Sequence, residues 1–177
     1  MAEHNVQPLV VVKTPSEPLP ADAVARFDRE LAPILKRYPE DRRGSAMIPA
    51  LYIGQDIFGH LSPSVLALAA ERLGVSPARA EEVATFYVML HSRKVGKHVV
   101  EICTNVSCCL AGAEHIFDEL KKALGVENGG TTPDGGITFR EVECLGCCGT
   151  APAMLVDEYL HEHITLDKAK RLVEGLE

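Results

Sequence analysis

The sequence predicts an α/β chain in two parts. A small four-helix bundle spans residues 21–92 and a compact α/β unit spans residues 93–177. Three observations lead there. Apolar residues recur at helical spacing from Ala21 to about Leu90. From Lys97 the pattern changes to short β-rich and alternating runs. All six cysteines then fall in two tight clusters, Cys103/Cys108/Cys109 and Cys144/Cys147/Cys148, each at the end of a predicted strand.

Ahead of the bundle, residues 1–20 hold Pro8, Pro15, Pro18 and Pro20 and read as an extended arm. The first helix opens at Ala21, and Val24, Phe27, Leu31, Ile34 and Leu35 form one apolar stripe along it. A second helix covers Met47 to Phe58 and stops at Gly59. Ser62-Pro63 supplies a capping hydroxyl followed by proline at the first helical position, and that helix runs to Leu73 before Gly74. Ser76-Pro77 repeats the device for a fourth helix reaching about Leu90. Connections this short favour antiparallel neighbours, and the stripes read as core rather than as a cofactor box. With no chemistry of its own, the bundle is expected to be a docking element.

In the second part, His98–Cys103 reads as a strand and Ala111–Leu124 as an amphipathic helix closed by Gly125, with Cys108 just ahead of it. Gly129, Gly130, Gly135 and Gly136 mark a flexible turn region. Ile137–Glu143 alternates as a strand. Ala153–Val156 and His161–Thr165 form a hairpin around Asp157-Glu158, and a last helix runs from about Leu166 to Leu176. The order β-α-β-β-α describes a small sandwich with both cysteine clusters on loops just past strand ends, where α/β sheets place their sites.

The composition narrows the function. A net charge of −7 gives no basic face for phosphate, which argues against a nucleic-acid partner. No apolar run of membrane-spanning length occurs, and the start M-A-E-H-N-V-Q-P lacks the charged and apolar regions of a secretory signal, so a cytoplasmic location is expected. Cytosolic thiols stay reduced, and clustered cysteines there point to metal or redox chemistry rather than disulfides. The chain has neither a G-x-G-x-x-G nor a P-loop, so nothing reads as a nucleotide site.

Two cysteine loops joined by a folded insert can form a four-thiolate cage. A [2Fe–2S] rhomb takes two thiolates per iron, so two loops can hold both irons. Cys103-x4-Cys108 has the first-pair spacing of plant-type ferredoxins, and the second loop offers Cys144-x2-Cys147 or Cys144-x3-Cys148. Gly146 and Gly149 let backbone N–H groups approach the sulfurs. A structural zinc site is the competing metal reading, but only Cys144-Leu-Gly-Cys147 has its knuckle spacing. A dithiol oxidoreductase would place its C-x-x-C at a helix N-terminus, whereas Gly-Thr-Ala-Pro follows here.

With those residues in hand, the chain resembles the thioredoxin-like [2Fe–2S] ferredoxin family, in particular the peripheral iron–sulfur subunits of NADH:quinone oxidoreductase (complex I). The family pattern C-x4-C, then E-C-L-G-x-C-x-x-A-P, stands here as Cys103-TNVS-Cys108 and Glu143-Cys144-Leu145-Gly146-Cys147-Cys148-Gly149-Thr150-Ala151-Pro152. M-I-P-A-L, G-H-L-S and E-V-A-T-F-Y in the helical part are similar as well. The resemblance implies a thioredoxin-like ferredoxin domain after the bundle, with Cys103, Cys108, Cys144 and Cys148 as ligands of one [2Fe–2S] cluster. Cys109 and Cys147 depart from the family pattern. It further implies a partner flavoprotein subunit holding FMN and NADH, other iron–sulfur subunits, and a peripheral place on the cytoplasmic side of the inner membrane. The equivalent subunit of an NAD-linked hydrogenase or formate dehydrogenase is the alternative. From another class, a zinc-stabilised adaptor stays open.

Overall fold

The computed structural model describes residues 17–176, so the arm expected over residues 1–20 lies mostly outside the described residues. The chain divides into two compact units, Met1–Lys94 and Val95–Glu177.

Among the described residues the first unit holds four α-helices, α1 (Ala21–Leu35), α2 (Met47–Phe58), α3 (Pro63–Leu73) and α4 (Pro77–Phe86). Phe27 and Leu31 of α1 are buried together with Leu51, Leu61, Val65, Ala69 and Ala70 in one core. Local chemistry sets the helix ends. Gly59 and Gly74 adopt left-handed conformations that end α2 and α3. The Ser62 hydroxyl accepts from the Val65 N–H and the Ser76 hydroxyl from the Arg79 N–H, each with proline in the first turn. Two details differ from the sequence expectation. A 3-10 helix covers Glu40–Ala46 between α1 and α2. Helix α4 ends at Phe86 rather than near Leu90, because the Gln55 side chain takes over the backbone there. It donates to the Met89 carbonyl (3.0 Å) and accepts from the His91 N–H (2.6 Å), which holds that stretch in a turn.

The second unit is a five-stranded sheet in the order β2-β3-β1-β4-β5, from β1 (His98–Cys103), β2 (Gly130–Thr131), β3 (Ile137–Val142), β4 (Met154–Val156) and β5 (Tyr159–His161). Helices α5 (Val106–Leu110), α6 (Ala113–Leu124) and α7 (Leu166–Glu174) complete it. Strands β1 and β3 run parallel in a register that pairs His98 with Ile137 and Cys103 with Val142. Both strands therefore end at the same edge of the sheet, and the two cysteine loops leave from adjacent positions. The core beneath joins Val100 and Ile102 of β1, Phe139 of β3, Met154 of β4 and Ile116, Phe117 and Leu120 of α6. Phe117 and Phe139 stack with ring centroids 4.9 Å apart. On β1 and β3, Glu101 is buried and takes an ion pair from its cross-strand neighbour Arg140.

Three expectations for this unit need correction. The glycine region is an ordered hairpin rather than a flexible turn: Asp134 Oδ1 accepts from the Thr132 hydroxyl (2.5 Å) and the Gly136 N–H (3.0 Å). The second strand of the C-terminal hairpin is Tyr159–His161, since the turn uses only Asp157 and Glu158. The helix expected over Ala111–Leu124 starts at Ala113, and a separate short helix that the sequence reading lacked lies ahead of it. Gly112, at φ +92°, separates the two, and the short α5 ahead of it includes Cys108 and Cys109. Cys108 thus sits within a helix instead of ahead of one.

Candidate metal centre

The first loop starts where β1 ends. Cys103 is the last strand residue, its N–H bonded to the Ala153 carbonyl (3.1 Å), and Thr104 N–H reaches the Val142 carbonyl (3.1 Å). Asn105 then caps α5, its side chain accepting from the Val106 N–H at 2.7 Å. One turn later the helix buries Cys108 and leaves Val106 and Leu110 exposed. The second loop, after β3, has less regular structure. Gly146 is left-handed at φ +75°, and its N–H points at the Cys144 sulfur (3.3 Å). A 3-10 turn covers Cys148–Thr150, and the Ala151–Pro152 bond is cis. The chain returns beside the first loop at Ala153.

All six cysteines are free thiols. Cys103 and Cys108 are buried, Cys109 and Cys147 half-buried, Cys144 and Cys148 exposed. Burial pushes the Cys103 thiol up. The backbone N–H groups of Asn105 and Leu145 and the thiols of Cys108 and Cys144 outweigh that, so its pKa falls below the usual thiol value. Cys108 shows the complement. Burial and the hydrogen bond it gives Cys103 push it up to about 11, against the opposing Ala153 N–H, and the charges of Cys103 and Cys148 add to the rise. The structure therefore sets Cys103 at the seam of the two loops, its thiol donating to the Glu143 carbonyl beside Cys144 (3.8 Å), and makes it the position best suited to negative charge. Among the described residues no three His, Cys, Asp or Glu side chains converge on one point as ligands of a single ion. The contacts between the loops are pairwise.

The two remaining cysteines face backbone. The Cys109 thiol donates to the Thr104 carbonyl (2.8 Å) and the Cys147 thiol to that of Leu145 (3.4 Å). Burial raises both, helped by Glu114 at Cys109 and by Glu162 at Cys147. Sequence reasoning missed the Asn105 and Leu145 amides and the carboxylates beside the thiols. Asn105 had a usable signal, since asparagine before a short apolar run is a capping residue. Glu162, distant in sequence from Cys147, had none.

A parallel strand pair, antiparallel flanking strands and covering helices define a thioredoxin-like fold with a thiol-rich edge. The thioredoxin-like [2Fe–2S] ferredoxin family matches over residues 31–177, and the chain belongs to that family. It is 42% identical to the second E-type NADH-quinone oxidoreductase subunit of Rhizobium meliloti over 146 residues, 82% of this chain and 86% of that protein. It is 37% identical to the E-type NADH-quinone oxidoreductase subunit of Mycobacterium tuberculosis over 94% of this chain and 65% of that protein, so it spans just under two thirds of the mycobacterial length. Among solved structures, an NAD+-reducing [NiFe]-hydrogenase matches with a TM-score of 0.64 at 19% identity, over 74% of this chain and 22% of the other; at that identity the likeness is one of fold.

Proposed function

We propose that this chain is an electron-transfer subunit of an NADH:quinone oxidoreductase and holds one [2Fe–2S] cluster through Cys103, Cys108, Cys144 and Cys148. The observation supporting it most strongly is the pairing of the loops: parallel β1 and β3 end side by side, and the Cys103 thiol of the first loop donates to the carbonyl of Glu143, the residue before Cys144, at 3.8 Å. The donor set suits the group, with four reduced thiols, two per loop, and backbone N–H groups aimed at sulfur. When bound, such a cluster takes up and releases one electron at a time.

The protein's own residues do the rest. Parallel β1 and β3 fix the loops side by side, and α5 with its Asn105 cap presents Cys108 inward. The N–H groups of Asn105, Leu145 and Gly146 stabilise negative charge on Cys103 and Cys144. The buried face under the loops excludes water from Cys103 and Cys108. Hydride chemistry needs a nicotinamide–flavin pair, so a partner flavoprotein subunit holding FMN and NADH supplies it. The helical unit over residues 21–92 is a bundle that docks the chain onto such a partner. No helix among the described residues is long and apolar enough to cross a membrane, and we place the assembly peripherally on the cytoplasmic face.

Co-expression with a flavin-binding partner subunit tests this reading. A stable pair in which NADH bleaches the visible iron–sulfur absorbance supports it. A pair that forms but whose bands respond only to dithionite contradicts the partner assignment.

A further inference from the structure

Each loop has a cysteine beyond the family pattern, and the two differ in what surrounds them. On α5, Cys109 is the residue after Cys108, so the two side chains point about 100° apart around the helix. That helix is held by the Asn105 cap and by the Cys109 N–H bond to the Asn105 carbonyl at 2.9 Å. The Cys109 thiol is tied to the Thr104 carbonyl at 2.8 Å. Bringing it to the position of the Cys108 sulfur would mean rotating the helix.

Cys147 is placed otherwise. It lies between left-handed Gly146 and the 3-10 turn at Cys148, and Gly149 beyond has open space around it. Its backbone is in the bridge region (φ −103°, ψ 38°), and its thiol donates to the Leu145 carbonyl at 3.4 Å. It is half-buried against the same core that contains Cys103 and Cys108. Cys147 and Cys148 both stand between Gly146 and Gly149, residues whose backbone carries no side-chain restriction on rotation.

Building on the cluster reading above, we propose that Cys147 is a reserve ligand for the second loop, able to replace Cys148 at the iron, while the first loop has no such reserve and depends on Cys108. On exchange, the Cys147 thiol gives its proton to solvent base as the new iron–sulfur bond forms, and the vacated side chain takes a proton up.

The test uses the full chain, purified anaerobically, with alanine substitutions that offer no oxygen ligand. Cys148→Ala is expected to keep close to the full iron and sulfide content, with a shifted electron paramagnetic resonance spectrum in the reduced state. Cys147→Ala is expected to match wild type in both, and Cys147→Ala/Cys148→Ala to lose the cluster. Cys108→Ala is expected to lose it despite Cys109. Loss of iron in Cys148→Ala, with circular dichroism matching the Cys147→Ala protein, overturns the reserve role, and so does retention in the double variant. Retention in Cys108→Ala overturns the asymmetry. An iron-free wild-type chain would instead overturn the cluster reading, and this inference with it.

Discussion

The two cysteine loops share one sheet edge but are built by different means. The first is a capped helix of five residues between a strand end and a left-handed glycine, and it buries both of its inner thiols. The second is a glycine-punctuated turn whose thiols are exposed or half-buried. A site assembled this way has one fixed half and one adaptable half. The fixed half sets where the charge sits, through Cys103.

Changes beneath, within and at the margin of the loops probe that contrast in descending order of effect. Phe139 is fully buried on β3, stacked on Phe117, in the floor common to both loops. Phe139→Ala is expected to destabilise the second unit by about 3–5 kcal/mol and to weaken both loops together. Urea unfolding followed by near-ultraviolet circular dichroism measures this. An effect on one loop alone would break the idea of a shared floor.

The glycines sharpen the contrast directly. Gly112 is held at φ +92° between two helices and cannot relax, so Gly112→Ala should cost about 1–2 kcal/mol. Gly146 has a similar φ of +75° in irregular chain, where the loop can shift, and Gly146→Ala should cost clearly less. Neither added methyl meets another atom within 4 Å, so the comparison isolates backbone strain. Equal losses in thermal melts would mean that the second loop is as rigid as the first.

The smallest effect is expected from Asn105→Ala. It removes the side-chain cap from α5 and should cost about 1 kcal/mol, read as faster hydrogen exchange at Val106–Cys109 with the second loop unchanged.

Much of this was legible in the sequence where local chemistry decides. The ranges Met47–Phe58, Pro63–Leu73 and His98–Cys103 follow from capping serines, terminal glycines and a β-rich run. Elements fixed by distant partners were not legible. Gln55 shortens α4 from thirty-odd residues away, and β2 exists because Gly130 and Thr131 find Phe139 and Thr138. Gly112 looked like an ordinary helix residue, and only its positive φ separates α5 from α6. At the site, clustering identified the thiols. Their ordering, with Cys103 low and Cys108 high, depends on amides and burial that no spacing reveals.

The central claim is that two pairs of thiols from adjoining loops grip one two-iron cluster. Native mass spectrometry of the full chain under strict exclusion of oxygen tests it most directly. The account predicts a mass increment of two irons and two sulfides, present in wild type and absent in Cys103→Ala. A bare chain, or a single zinc retained at those cysteines, would contradict it.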